Sequence, residues 1–404
     1  MVSPGKNRTG PGAERTAGPE SVIRKAENPR PQGETIAKIV RNNHYVEADV
    51  MILDLADALK SQPDIPALAV VDADANVLGI ITRRNLFGTL AKPFGRDLLS
   101  SKTVAHIAEQ AASFNHQRNI FSVAEELSRI LHAPEDHFFL LTRDDRYFGS
   151  FSTRDLLIYL STVTQKDIAL ARNLQKSLVP ERTVLETDRF TIAGMCTMAK
   201  GVGGDLYDVR RCGDGEWIIA VCDVSGKGVS ASLVTTGISG MINAFDFSAG
   251  LDRFIAMMNR YLVQSFSGEK FVTGFFASFN EATGELDVYD AGHSLLYLRR
   301  RGKLYQLRSS RDNIPLGISE ETVFASDHIV LIPGDILLVL TDGIIEQTNG
   351  NGDQYGVARL SGTVCGQTEG GAAAIADEVL KDVRFFRGTQ PVHDDMTIRA
   401  LEYR

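Results

Sequence analysis

The sequence predicts a mixed helix-and-strand fold of the α+β class, spread over more than one domain. Three observations predict it. A strand–turn–strand–helix pattern occurs twice before residue 163, strand-like and helical periods alternate after about residue 190, and a proline-bounded helical segment separates the two regions. At 404 residues the chain is long for one domain, so two or three are expected.

Residues 1–34 are rich in Gly, Pro and charge and have few apolar side chains to bury, a composition that reads as a disordered tail. From Thr35 the pattern turns globular. Pro66 to Val71, the turn formers Asp72 to Asn76 and Val77 to Ile81 give a hairpin, after which Thr82 opens a helix. His137 to Leu141, the turn Arg143 to Arg146 and Tyr147 to Phe151 repeat the arrangement, with Ser152 opening the helix that contains Asp155 to Tyr159.

The two units, LAVVDADANVLGIITRRNL (68–86) and FFLLTRDDRYFGSFSTRDLL (138–157), resemble a tandem pair of CBS domains over residues 35–163. That resemblance implies an α/β regulatory domain that binds an adenine nucleotide (AMP, ADP or ATP). The helix-opening Ser or Thr would face phosphate and the following Asp the ribose. Gly149, Ser152 and Asp155 keep the pattern; the first copy has Gly79 and Thr82 but Asn85 at the ribose position. The other known role of such pairs is dimerisation.

Residues 161–180 carry Leu170, Ala171, Leu174 and Leu178 at helical spacing, and Pro180 ends the helix. A helical linker over 164–185 then leads into a domain over 186–404. The helix either lies on the core of that domain or pairs with its counterpart in a homodimer and transmits the state of the CBS pair; the second reading is preferred.

The most informative stretch is Gly201 to Ser230. Asp205 follows a glycine pair, and Asp223 ends the apolar run Trp217 to Cys222, where a buried strand should give way to a glycine-rich turn. Ile336 to Leu340 likewise ends in Thr341-Asp342-Gly343, and His393-Asp394-Asp395-Met396-Thr397 precedes a strand from Ile398. Carboxylates gathered from such positions would repel one another unless cations compensated. Oxygen-only donors favour Mn²⁺ or Mg²⁺ over zinc, and two such ions serve phosphate ester hydrolysis.

The segments VGGDLYD (202–208), CDVSGKGVSASL (222–233), FVTGFFASF (271–279), DAGHSLLYL (290–298), IPLGI (314–318), LTDGIIE (340–346) and HDDMT (393–397) resemble the PPM serine/threonine phosphatases, in their bacterial SpoIIE/RsbU-type branch. Periodicity leaves a parallel α/β fold open; the resemblance implies an α-β-β-α sandwich. It also implies that Asp205, Asp223, Asp342 and Asp394 are the metal-binding and catalytic aspartates, joined by the backbone carbonyl of Val224. Asp208 and Asp395 orient waters or cap turns, and Lys227 is read as a solvated lysine rather than a phosphate contact. The implied activity is a two-metal protein serine/threonine phosphatase, and the implied substrate a phosphorylated STAS-type anti-anti-sigma factor. An inactive nucleotide-sensing docking protein is the alternative.

Other chemistries fit poorly. Gly226-Lys227-Gly228 is no P-loop, because Val221 stands where that motif needs glycine. Ser225 and Ser230 have no base to activate them, His293 reads as structural, and His393 either orients Asp394 or is solvated. Four scattered cysteines suggest neither zinc nor disulfides. A net charge of −8 argues against nucleic-acid binding, and the absence of any membrane-length apolar run points to a cytoplasmic protein.

Overall fold

The computed structural model describes residues 22–27, 31, 33–130, 136–367 and 370–404, and the chain divides into two units, Met1–Thr164 and Gln165–Arg404. The first unit contains β1 (Arg24–Lys25), β2 (His44–Glu47), α1 (Ile52–Lys60), β3 (Ala67–Val71), β4 (Val77–Thr82), α2 (Arg83–Leu90) and α3 (Gly95–Leu99). It continues through β5 (Ser113–Asn115), α4 (Ile120–Ile130), β6 (Phe138–Arg143) and β7 (Arg146–Ser152) into α5 (Thr153–Leu178).

The internal repeat is visible in the pairing. In the first copy β2 runs parallel to β3, which pairs antiparallel with β4; in the second, β5 runs parallel to β6, which pairs antiparallel with β7. Each parallel step is bridged by an amphipathic helix, α1 or α4, as a parallel connection requires. On α1, Ile52, Leu55, Ala56 and Leu59 recur at helical spacing and are buried. The β6–β7 hairpin turns on Asp144 and Asp145 at φ 50° and 64°, the left-handed pair a two-residue turn demands. Ala69, Val71, Ile80, Leu140 and Tyr147 form one apolar cluster joining the two copies.

Two expectations need correction. Most of the stretch read as a disordered tail lies outside the described residues, but Arg24–Lys25 pairs with β2, because Ile23 beside it is buried in the first copy's core. The linker is not a separate helix: α5 begins at Thr153, directly after Ser152, and ends at Leu178.

The second unit comprises the end of α5, then β8 (Arg182–Glu186), β9 (Phe190–Thr197), β10 (Leu206–Arg211), β11 (Glu216–Val224), α6 (Val229–Ala244), α7 (Leu251–Phe266), β12 (Val272–Asn280) and β13 (Glu285–Ala291). It closes with β14 (Leu296–Arg300), β15 (Lys303–Leu307), β16 (Asp327–Val330), β17 (Ile336–Leu340), α8 (Asp342–Ile345), α9 (Gly356–Gly366), α10 (Gly371–Arg387) and β18 (Met396–Tyr403). Its strands form two antiparallel sheets, ordered β10-β11-β12-β13-β16 and β15-β14-β17-β18-β9-β8.

Strand alternation explains the layering. On β17, Leu337 and Val339 enter a core shared with the other sheet and with Val234, Ile238, Phe254 and Met258 of α6 and α7. Ile336, Leu338 and Leu340 face the opposite way, onto Leu360 and Val364 of α9 and Ile375, Val379 and Val383 of α10. Strands buried on both faces need apolar residues throughout, which is why β11 and β17 read as continuous hydrophobic runs. The result is the α-β-β-α sandwich. Among the described residues no helix is long and apolar enough to cross a membrane.

Candidate active site

The four strand-end aspartates come to one end of the sandwich. Asp205 immediately precedes β10, Asp223 is the penultimate residue of β11, Asp342 follows β17 by two residues and Asp394 precedes β18 by two. Close backbone approaches draw these segments together. A Cβ on Gly204 would lie 2.7 Å from the Val224 carbonyl oxygen, and one on Gly343 would overlap the Asp395 carbonyl. Asp223, Val224, Lys227, Asp342 and Asp394 line a cavity of about 270 Å³, together with Thr273, Gly292 and His293.

Asp205 does not line that cavity and is buried. Its Oδ2 accepts hydrogen bonds from Thr341 Oγ1 at 2.8 Å and Thr397 Oγ1 at 2.6 Å, while Oδ1 is buried with no partner. Burial, and then the Asp223 and Asp395 charges, hold the Asp205 carboxyl well above the usual carboxylate range. Asp223 is pushed up to about 7 by burial and the Asp342 and Asp394 charges. Asp342 is raised too, by burial and then by Asp394.

The gathering is looser than expected in one respect. Among the described residues no three His, Cys, Asp or Glu side chains already stand as a ligand cage. Asp394 is instead paired with Lys227, whose Nζ lies 2.8 Å from Asp394 Oδ2 and donates to the His393 carbonyl at 2.7 Å. Lys227 is therefore not the solvated lysine expected; the carboxylates around it supply the reason. A divalent cation fits the remaining donor set. It is all oxygen, it holds one orphaned buried carboxylate atom, and its proton affinities are raised as charges lacking a counter-ion must be.

Several supporting residues escaped the sequence reading or, like Asp395, were read there only as orienting waters or capping turns. Asp395 accepts from Ala199 N–H at 2.8 Å and Gly204 N–H at 2.7 Å, so it grips the loop that delivers Asp205. Gln175 of α5 is buried and grips the same loop, donating to the Gly203 carbonyl at 2.7 Å and accepting from Gly203 N–H at 3.0 Å. Thr235 of α6 donates to the Gly204 carbonyl at 2.9 Å. Thr341 and Thr397 adjoin the aspartate motifs and were legible by position. Gln175 was not, since Leu170 and Leu174, which suggested the packed face of that helix, are exposed and Gln175 is inside.

The lesser candidates separate. Asp208 is paired with Arg210 at 2.8 Å along β10 and does not line the cavity. His293 is buried beside the cavity with its Nε2 unpartnered, and burial lowers its proton affinity. His393 turns its ring to Thr348, at 2.8 Å, rather than orienting Asp394. Ser225 accepts from Phe271 N–H at 3.0 Å, a turn-fixing bond.

In the first unit the proposed nucleotide residues are engaged locally. Ser152 and Asp155 cap α5 reciprocally, with Ser152 Oγ donating to Asp155 Oδ2 at 2.7 Å. Thr82 caps α2 by accepting from Asn85 N–H at 3.1 Å, and Gly149 packs against Val40.

Residues 213–404 match the SpoIIE family, described as Stage II sporulation protein E, and residues 36–92 match the CBS domain. The C-terminal unit carries a SpoIIE-family domain and the N-terminal unit a CBS domain. Among curated proteins the chain is 26% identical over 329 residues to phosphoserine phosphatase RsbU of Bacillus subtilis, covering 75% of this chain and 95% of that one. It is 25% identical over 192 residues to phosphoserine phosphatase RsbP of the same organism, covering 46% of each. Among solved structures the SiaA PP2C domain of Pseudomonas aeruginosa matches with a TM-score of 0.51 and 18% identity, over 61% of this chain and 99% of that domain, which shows the shared fold. The SpoIIE domain thus has its sandwich and its aspartate motifs in one frame.

Proposed function

We propose that the protein is a metal-dependent serine/threonine phosphatase that hydrolyses phosphoserine or phosphothreonine on a regulatory protein, under control of its CBS region. The observation that supports this reading is that Asp223, Asp342 and Asp394 line one cavity, while the buried Asp205, within reach of the Asp223 charge, keeps one oxygen unpartnered. These four carboxylates and the Val224 carbonyl would hold two Mn²⁺ or Mg²⁺ ions. Such ions, when bound, polarise a phosphoryl group and acidify water, so hydrolysis proceeds without a phosphorylated enzyme.

The chain's own contribution is placement. Thr341 and Thr397 fix the Asp205 carboxylate from one side, and Asp395, Gln175 and Thr235 fix its loop from the other. Lys227 neutralises Asp394 through their ion pair, a charge that a bound cation would supply in its place. Val224 and His293, both buried, and the half-buried Thr273 form part of the cavity wall.

The kinship to phosphoserine phosphatases RsbU and RsbP supports sigma-factor regulation, with a phosphorylated STAS-type anti-anti-sigma factor as substrate, in the cytoplasm. The exposed Leu170 and Leu174 of α5 suit pairing with a second copy, giving a homodimer. An adenine nucleotide at Thr82, Gly149, Ser152 and Asp155 is the regulatory ligand, to be tested by calorimetric titration with AMP, ADP and ATP. The alternative, an inactive docking regulator, is favoured by one feature, the ion pair that occupies Asp394. Manganese-dependent phosphate release from a phosphoserine peptide decides between them. Release that Asp205→Ala and Asp223→Ala abolish supports the enzyme; no release, or release that survives both changes, rejects it.

A further inference from the structure

Beyond the aspartate cavity lies a second concavity of about 410 Å³ that shares Gly292 with it. Its walls come from the turn after β13 and from the segment leaving β15, and include Gln306, Arg308, Ser309, Arg311 and Asn313. A third, of about 430 Å³, continues past Arg308 and Ser309 toward β16. The second and third share Asp290, Gln306, Arg308 and Ser309, so the three adjoin in a row, a trough that leads away from the proposed reaction centre.

The charge along this trough changes sign. The first cavity presents Asp223, Asp342 and Asp394 against Lys227 alone. In the second and third, the two carboxylates, Asp290 and Asp327, are engaged by the fold. Asp290 is buried and accepts from the backbone N–H groups of His293 at 2.7 Å and Ser294 at 3.1 Å. Asp327, at the edge of the third, accepts from Ser309 Oγ at 2.6 Å and Ser310 N–H at 3.1 Å. Arg308, by contrast, is exposed and makes no hydrogen bond or ion pair among the described residues. Arg311 donates Nε to the Ser326 carbonyl at 3.0 Å and stands 3.7 Å from Asp327, which fixes its root and leaves the outer guanidinium edge outward.

The segment bearing these arginines is anchored. Asn313 and Ala325 exchange two hydrogen bonds, of 2.8 and 3.0 Å, and Asp327 ties down Ser309 and Ser310. Two guanidinium groups on a pinned segment, in a protein of net charge −8, are a local reversal that selects anions.

We infer that this trough is a substrate-binding site for the polypeptide flanking the phosphorylated residue, and that Arg308 and Arg311 select segments bearing Asp or Glu beside it. The inference rests on the phosphatase reading and deepens it. Neither arginine touches the reacting group; both act on the binding of the flanking chain.

The test compares two phosphoserine peptides, one flanked on both sides by Glu and one by Gly and Ser, with p-nitrophenyl phosphate as a substrate that cannot reach the trough. The full chain with Mn²⁺ should favour the acidic peptide by about five- to tenfold in kcat/KM, through KM and not kcat, and lose that preference in 0.5 M salt. Arg308→Glu should bring the ratio to unity or below while p-nitrophenyl phosphate turnover stays unchanged, and Arg311→Gln should lower it in part. Because Arg308 makes no internal bond, its replacement leaves the fold intact. Fluorescence anisotropy of the labelled acidic peptide gives a readout independent of turnover: wild type should bind it more tightly than Arg308→Glu does. Equal kcat/KM for the two peptides, or equal binding by wild type and Arg308→Glu, overturns the inference. Absence of p-nitrophenyl phosphate turnover in the wild type would instead count against the phosphatase reading, while anisotropy still decides the trough.

Discussion

Replacing Gln175 with leucine probes how the Asp205 loop is held. The Gln175 side chain is 6% exposed and gives both polar ends to Gly203, with bonds of 2.7 and 3.0 Å. Leucine fills a similar volume and makes neither. Each lost bond costs about 1 kcal/mol, and stranding the buried Gly203 N–H adds a desolvation term, for a total of about 2–4 kcal/mol. The Gly203 carbonyl keeps only a long 3.4 Å bond from Thr235. For a unit of this size the loss lowers Tm by roughly 4–16 °C. Trp217, the chain's single tryptophan, lies on β11, so its fluorescence reports this unit alone. Because Asp205 follows Gly203 by two residues, Mn²⁺ affinity should fall by about 10–100-fold, as for other residues that orient ligands. A Tm within 2 °C of wild type (about one smallest-case kcal/mol), together with unchanged Mn²⁺ binding, would refute the reasoning.

Other expectations follow from the same geometry. Asp205→Asn should abolish phosphate release yet raise stability in EDTA by about 1–2 kcal/mol, since it removes a buried charge with an unpartnered oxygen; Trp217 melts with and without Mn²⁺ should show the metal stabilising only the wild type. Gly194→Ala should destabilise by about 3 kcal/mol or more, because its Cβ would overlap the buried Arg399 guanidinium that bonds Thr183 at 2.6 Å and stacks on Tyr207. Arg399→Met in the same chain should recover part of that loss. Asp382 is held down at about 2, chiefly by Arg359 with Thr363 and Tyr355 assisting. Its folded-state value is depressed, so its stabilisation is complete above about pH 4 and is lost as pH falls toward 2. Against Asp382→Asn, urea melts should show a gap of about 1–2 kcal/mol at pH 6 that closes near pH 2.

Much of this was written in the chain. Short apolar runs bounded by turn residues gave β11 and β17 because strands covered on both faces need no polar alternation, and the aspartates at their ends stood out against that background. The paired hairpins gave the repeat, since Asp144-Asp145 and Asp72 to Asn76 are turn chemistry readable from residue type. Gln175 was illegible for the opposite reason: a polar residue on an amphipathic helix ordinarily faces water, and only its two bonds to a backbone 28 residues away show otherwise. Lys227 was misread because its partner Asp394 lies in a distant motif, and spatial pairing leaves no trace in local pattern. The edge strand Arg24–Lys25 hid in a segment whose average composition outweighed one buried isoleucine.

The position of β18 has a consequence for biosynthesis. Met396–Tyr403 is made after every other strand, yet it sits inside its sheet, flanked by β17 and β9. Until the ribosome delivers it, those two neighbours present bare edges and Asp205 lacks the threonine hydroxyl of Thr397. Closure of this sheet therefore waits until residues 396–403 have been made. Chains that stop short of Met396 would carry those two bare edges and tend to stick to one another.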